Sequence, residues 1–183
     1  MANTDRPSGA LPVRHLNGGT QIPINPYDVD ASNGTAIFLN DFMIAEADGY
    51  VAPYTGTGGG DVLGVCAGVA GGYDDLSQKH LAASTAGTVY VVDDPDMIFE
   101  CQEDDAGTAL TVAARGANCD ILATAGSATT GISAHEIDRS TVVATIAQLR
   151  LLRLVDRPDN EYGDSAKWEI MINEHEYKTT AGT

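Results

Sequence analysis

Apolar residues in this chain come in many short segments, separated by clusters of glycine, proline and aspartate. The clearest segment is KWEIMIN at positions 167–173, where Trp168, Ile170 and Ile172 occupy every second position. The MIFECQ segment at 97–102 has the same period of two, which is the spacing of a half-buried β-strand. No long segment has helical spacing, and no repeat of fixed period is present. The pattern predicts an all-β protein, an antiparallel sandwich or barrel.

Several other segments predict strands, because β-branched and aromatic residues lie between turn-forming residues. The segment 141–155 is the most apolar; its branched start favours a strand, although its Leu and Ala content would also suit a helix. We interpret it as a strand, because a helix would place Arg150 and Arg153 beside the apolar face. A loop is predicted for the Gly-, Ser- and Thr-rich residues 124–133. The remaining predicted strands are one or two within 35–45 and one each at 62–69, 88–92, 109–113 and 119–123.

The first 34 residues differ in character from the rest. They contain four prolines and four glycines, which disfavour a helix or a central strand, and they have few large apolar side chains to offset the entropy of ordering. We therefore predict an extended N-terminal arm at 1–34, which either has no structure alone or borrows its structure from a neighbour, followed by a single β domain at 35–183.

Charge limits the classes of partner. The chain has 26 acidic and 10 basic residues, a formal net charge of −16, and such a chain repels a phosphate backbone. The nearest approach to a basic cluster is Arg150, Arg153 and Arg157, which lie beside Asp156 and Asp159 and are better placed to pair with carboxylates. No apolar run reaches roughly 18 residues, and no signal-peptide layout is present. We predict no nucleic-acid or membrane partner, and a soluble protein that is not secreted.

The three cysteines, Cys66, Cys101 and Cys119, are far apart in the sequence and form no C-x-x-C pair. Zinc and redox sites usually need such a pair, so the spacing favours three buried free thiols.

Motifs for catalysis or cofactor binding are incomplete. The DVDASNG segment that begins at Asp28 resembles a calcium loop, but its glycine falls one place late and its twelfth position is Leu39. The glycine-rich segment 56–72 contains no phosphate-binding motif, and no G-x-S-x-G is present. A serine, histidine and aspartate that meet only in space would escape this search. The sequence predicts no catalytic residue, no cofactor and no metal site, and hence not an enzyme.

The histidines give the same result. H-E-x-x-H zinc motifs begin at His135 and His175, but Arg139 and Thr179 stand where the second histidine is needed. We interpret the histidines as ordinary surface or hydrogen-bonded side chains. The four are His15, His80, His135 and His175.

Acidic residues crowd the segment from Asp93 to Asp105. A solvated acidic loop is the favoured interpretation, but a structural cation or a pair of catalytic carboxylates stays open. The carboxylates are Asp93, Asp94, Asp96, Glu100, Glu103, Asp104 and Asp105.

Three stretches together suggest a family: MANTDRPSGALPVRHLNGG at the start, VYVVDDPDMIFECQED in the centre, and LRLLRLVDRPDNEYGDSAKWEIMINEHEY near the end. They resemble the head decoration, or cement, proteins of tailed bacteriophages. The resemblance implies a homotrimer near threefold positions on the outer capsid surface, bound to the major capsid protein and made in the bacterial host cytoplasm. Glycine-rich residues 56–79 contribute nothing to it.

Within that resemblance, Arg6, Arg14 and His15 are candidate contacts of the arm with the capsid. Trp168 is a candidate for the core or for a trimer interface, and its alternation with Ile170 favours the core. Two alternatives remain. One is a phage tail or receptor-facing spike element with glycan-binding loops, for which one Trp is few; the other is a β-fold hydrolase that uses the acidic segment.

Overall fold

A computed structural model describes residues 3–56, 60–70, 77–143 and 146–178. Two antiparallel sheets pack as a sandwich, so the predicted all-β class is confirmed. The strands are β1 (Leu11–His15), β2 (Asn25–Val29), β3 (Phe42–Ala45), β4 (Val51–Pro53), β5 (Gly64–Val69), β6 (Gly87–Val92), β7 (Met97–Gln102), β8 (Asn118–Leu122), β9 (Glu136–Val143), β10 (Leu149–Leu154) and β11 (Lys167–Ile172).

The first sheet has six strands in the order β1-β7-β11-β10-β8-β9, and the second has five in the order β2-β6-β5-β3-β4. The six-stranded sheet curls strongly. Glu103, just after β7, forms a parallel bridge with Ile137 of β9, and the backbone N–H of Asp104 donates a 3.0 Å hydrogen bond to the Ile137 carbonyl. This contact brings β9 next to the end of β7. Strands β7, β11, β10, β8 and β9 therefore form an incompletely closed barrel.

The five-stranded sheet carries buried side chains on both of its faces. One faces the six-stranded sheet, where Phe42, Phe99 and Trp168 belong to one apolar cluster. The other face carries Met43 and Val89, which are covered by side chains from outside the strands. Burial of each large side chain stabilises the fold by roughly 1.5–3 kcal/mol. The three thiols are buried and free, as the sequence predicted.

The clearest sequence patterns are confirmed. KWEIMIN forms β11, whose residues Trp168, Ile170 and Ile172 are buried, and MIFECQ forms β7 over the predicted range. The segments 62–69, 88–92 and 119–123 correspond to β5, β6 and β8 within two residues.

Two predictions need correction, and one that allowed alternatives is narrowed. Residues 109–113 do not form a strand: Val112–Ala114 is a 3₁₀ turn capped by Thr111, whose hydroxyl accepts from the N–H of Ala113. The segment 141–155 is not one strand but the end of β9 and all of β10, which lie on opposite sides of β8. Within 35–45, where one or two strands were predicted, β3 is the one regular strand, because Asn40 has a left-handed backbone (φ 71°) that interrupts the extended chain.

The extended N-terminal arm is not confirmed. Residues 11–15 and 25–29 form β1 and β2, which are edge strands of the two sheets. Edge positions tolerate Pro12 and Pro26, because a proline lacks the N–H that a second neighbour would require. Ahead of β1 the chain is held by its own domain, since Asn40 donates from its side chain to the Ser8 carbonyl and accepts through its carbonyl from Ala10.

Candidate functional site

Arg14 lies on β1 and is engaged within its own chain. Its Nη2 donates a 2.8 Å hydrogen bond to Oε2 of Glu169, which also accepts two bonds from Arg153. Burial opposes ionisation of Glu169, but the bonds from Arg153 and Arg14 outweigh it and lower the pKa of this carboxyl. The guanidinium of Arg14 therefore stabilises the packing of β1 against the rest of the sheet.

His15 ends β1 and anchors the loop that follows. Its Nε2 lies 2.7 Å from the carbonyl of Gln21, and its Nδ1 lies 3.5 Å from Oδ2 of Asp94. Next to it, the backbone N–H of Leu16 donates to the Asp96 carbonyl. His15 thus connects this loop to the turn between β6 and β7.

Arg6 is the predicted contact residue whose side chain is most available. Its backbone N–H donates to Oε1 of Gln102, but its guanidinium is exposed and has no partner among the described residues. It lines a cavity of about 260 Å³ together with Arg157, Lys167 and Asp159. Arg157 pairs with Asp159 and Glu100, and Lys167 pairs with Glu100, so Arg6 brings the charge that this surface does not balance within itself.

Exposed apolar side chains accompany the same part of the chain. Leu11 is 48% exposed, Val13 38% and Leu16 53%. We call β1 with these three side chains the β1 edge. Single exposed apolar residues are common, but three on and just after an edge strand indicate a surface suited to contact with another protein.

Trp168 lies in the core. Its side chain has no exposed surface, and its indole N–H donates a 2.9 Å hydrogen bond to Oε2 of Glu103. A surface contact through Trp168 is therefore wrong for this chain, and the interpretation as a core residue is right.

The acidic segment 93–105 does not converge on one site. Asp93 accepts hydrogen bonds from Asn25 and Tyr27, whereas Asp96 pairs with Lys178 at 2.7 Å. Other carboxylates of the segment pair elsewhere: Glu100 with Arg157, Glu103 and Asp104 with Arg139, and Asp105 with Ser165. Over the described ranges, no three His, Cys, Asp or Glu side chains are grouped so that they would hold a metal ion.

Sequence reasoning missed a buried ionic network around Arg139. Its side chain is 2% exposed and donates to Glu103 at 3.4 Å, to Asp164 at 2.9 Å and to the carbonyls of Ala106 and Gly107. Every interaction joins β9 to the segment after β7 or to the loop before β11. The network holds the barrel-like closure, and only the alternating pattern of β9 hinted that Arg139 faces inward.

A second polar group, Asp41 with Ser133 and His135, was also missed. Nε2 of His135 lies 3.6 Å from Oδ1 of Asp41, and Ser133 bonds the same carboxyl. The three residue types suggest a catalytic triad, but the geometry differs from one. Nδ1 of His135 accepts from the backbone N–H of Phe42, and the Ser133 hydroxyl accepts from the backbone N–H of His135. Both imidazole nitrogens are directed elsewhere, so the arrangement does not activate Ser133 as a nucleophile.

No family model matches the chain, and no curated protein matches it. In the part of the chain that the structure describes, no helix is long and apolar enough to cross a membrane.

Proposed function

We propose that the protein is a non-enzymatic component of a tailed-bacteriophage head. In this proposal it is a decoration protein that binds the outer surface of the major capsid protein lattice near threefold positions, as a homotrimer, and stabilises the head. The three sequence stretches that resemble the decoration family support the capsid part of the proposal. The β-sandwich supports a structural role, because the fold offers a rigid surface and its acidic segment is used in intramolecular pairs.

The β1 edge is the observation that carries the proposal. It combines an unpaired strand edge with three exposed apolar side chains, and the exposed guanidinium of Arg6 belongs to the same N-terminal segment. Pro12 and a register shift between Pro12 and Arg14 interrupt the edge. A long backbone ladder with a partner is therefore disfavoured, and the apolar side chains supply most of the contact.

Threefold assembly strengthens such a modest contact. Each chain of a trimer would place one β1 edge against a capsid subunit, and the second and third contacts then form at a high effective concentration. Avidity of this kind exceeds a single contact by roughly 10²–10⁴-fold.

The first test is the mass of the purified protein in solution, followed by mixing with empty undecorated heads of the same phage. We expect a trimer that occupies threefold positions in images of the heads and raises the temperature at which they open. A protein that does not bind heads contradicts the proposal. Binding to tail fibres or glycans instead would support the spike interpretation.

A pair of matched variants tests the surface. Val13→Lys places a charge on the β1 edge, and Val112→Lys makes the same change at a residue that is 60% exposed on the 3₁₀ turn. Both side chains point to solvent, so we expect unchanged unfolding curves. Val13→Lys should weaken head binding by at least about tenfold, which corresponds to about 1.4 kcal/mol, and Val112→Lys should leave it unchanged. Equal binding by both variants would exclude the β1 edge.

A further inference from the structure

A cavity of about 300 Å³ lies at one end of the sandwich, where β4 and β8 end and β3 and β9 begin. Its walls are mainly apolar and include Phe38, Pro53, Tyr54 and Ala123. A carboxylate and an imidazole, those of Asp41 and His135, also line it, together with Thr35, Thr55 and Thr124. An apolar cavity with a few polar groups is the usual form of a small-ligand site, and this volume is at the lower end of the range for such sites.

Asp41 is buried and only partly satisfied. Its side chain is 3% exposed, and its Oδ2 accepts a 2.7 Å hydrogen bond from the N–H of Phe38. Its Oδ1 has no hydrogen-bond partner in the described part of the chain; Nε2 of His135, which carries the proton of the neutral imidazole because Nδ1 accepts from Phe42, stays 3.6 Å away. A buried carboxylate oxygen without a donor is costly, by about 1–3 kcal/mol for an ordinary polar group and more for a charged one.

The groups around Asp41 supply no counter-ion. Burial lowers the pKa of His135 to about 4, so this imidazole is neutral at pH 7. Burial raises the pKa of the Cys66 thiol to about 12, so this thiol, which the charge of Asp41 influences, also stays neutral. Burial raises the pKa of Asp41 to about 6, against the opposing hydrogen bonds from Ser133 and Phe38. At pH 7 the cavity therefore carries a largely ionised carboxylate with no cation among the described residues that line it.

We propose that this cavity binds a primary ammonium group on a short apolar stem, with Oδ1 of Asp41 as its acceptor. The apolar walls suit the stem, in the way that lysine stems pack against apolar surfaces. An ammonium supplies both the missing donor and the missing counter-charge, whereas a neutral alcohol supplies only a donor and a carboxylate supplies neither. This site is separate from the β1 edge and does not depend on the proposed capsid role.

The test uses the full chain and NMR titration with n-butylammonium, read at the side-chain carboxyl of Asp41 and the ring of His135. We expect saturable shifts with a dissociation constant on the order of millimolar, because a ligand with few heavy atoms has a low ceiling of affinity. Butan-1-ol has the same stem without the charge and should bind at least about tenfold more weakly. Equal binding of the alcohol, or no shift with either compound, would overturn the proposal.

Two matched variants locate the charge. Asp41→Asn keeps an acceptor for the N–H of Phe38 but removes the charge, and it should abolish n-butylammonium binding. Asp48→Asn removes one charge in the exposed turn before β4 and should leave binding unchanged. Loss of binding in both variants would indicate a nonspecific attraction to an acidic protein, and retention in Asp41→Asn would exclude the site.

The wild-type protein provides a test that needs no variant. With a pKa of about 6 for Asp41, the ionised fraction falls about tenfold between pH 7 and pH 5. Affinity for n-butylammonium should fall by the same factor, because butylammonium stays charged throughout. An affinity independent of pH in this range would overturn the role of Asp41.

A further titration identifies the source of the ammonium. A blocked tripeptide with a central lysine is compared with the same peptide with a central norleucine. Binding of the lysine peptide but not of the norleucine peptide would show that the cavity accepts a side chain of another protein. Binding of n-butylammonium without the lysine peptide would assign the site to a free amine. Either result supports the shared chemistry, and preference for norleucine contradicts it.

Discussion

The indole N–H of Trp168 donates a 2.9 Å hydrogen bond to Oε2 of Glu103, and both side chains are completely buried. The other oxygen of Glu103 accepts from the backbone N–H of Leu110 and from Arg139. Burial raises the pKa of Glu103 in spite of these bonds. One buried carboxylate thus connects β11, β9 and the loop after β7, where the six-stranded sheet closes.

Replacing Trp168 with Phe should expose the importance of this bond. An aromatic ring remains in the core, but Glu103 Oε2 loses its donor inside the protein. We expect a loss of at least about 1–3 kcal/mol in the free energy of unfolding, measured in urea. Tyr162→Phe is the control, because its ring packs 5.7 Å from Trp168 and is 42% exposed; it should change stability by less than about 0.5 kcal/mol. Equal effects of the two variants would contradict the assigned role of the hydrogen bond.

Arg139→Met should be more damaging, because it leaves Glu103 buried without its cation. We expect a loss of about 3–5 kcal/mol. Adding Glu103→Gln to this variant should restore part of the loss, since the unpaired charge is then removed. Arg153→Met provides the comparison: Arg153 pairs with Glu169 but its side chain is 50% exposed, so the expected loss is about 0–1 kcal/mol. Strict additivity of the two changes at 103 and 139 would show that the pair is not coupled.

Stability should depend on pH through Glu136. Burial, and then the neighbouring carboxylates of Asp5 and Asp104, raise its pKa from 4.5 to about 7. The folded state holds the Glu136 proton more tightly than the unfolded state, so protonation of Glu136 stabilises the fold. This stabilisation is fully present below about pH 4.5 and is lost as the pH rises through 7.

Glu136→Gln tests this dependence, since an amide keeps an acceptor for the Gln102 side chain but cannot ionise. Between pH 5 and pH 8 the wild type should lose stability relative to this variant, and Asp48→Asn should run parallel to the wild type. A difference between Glu136→Gln and wild type that stays constant with pH would refute the assignment.

Gly9 should be sensitive to an added side chain. Its backbone is left-handed (φ 70°), and an added Cβ would clash with the carbonyl oxygen of Asn40. Gly49 has a similar φ of 89°, but nothing lies within 4 Å of its added Cβ. Gly49→Ala should therefore cost only the left-handed strain of about 1–2 kcal/mol, and Gly9→Ala should cost about 1–3 kcal/mol more. Hydrogen exchange of Ala10, whose N–H bonds the Asn40 carbonyl, should accelerate only in Gly9→Ala. Equal costs would mean that the N-terminal segment moves aside freely.

Local sequence was sufficient for the parts of the fold that depend on alternation. The stripe Trp168, Ile170 and Ile172 and the bounds of β7 follow from a period of two, because neighbouring side chains of any strand point to opposite faces. Local sequence was wrong at 109–113, where it predicted a strand. The chain forms a 3₁₀ turn there, and the backbone N–H of Leu110 donates to the buried carboxylate of Glu103. The prolines of the first 34 residues correctly disfavoured central strands, but they gave no sign that two edge strands form there.

The candidate sites depended almost entirely on the tertiary structure. Arg6, Arg14 and His15 were found from sequence, but only the fold shows that Arg14 pairs with Glu169 while the side chain of Arg6 is exposed. Arg139 and Glu103, like Asp41 and His135, lie far apart in sequence and meet because of strand order and register. By itself, the sequence determined the β class and the inward face of its clearest strands, since these follow from local side-chain alternation. The closure of the sheet, the docking of β1 and the buried carboxylate of the cavity required long-range strand pairing, which no local pattern encodes.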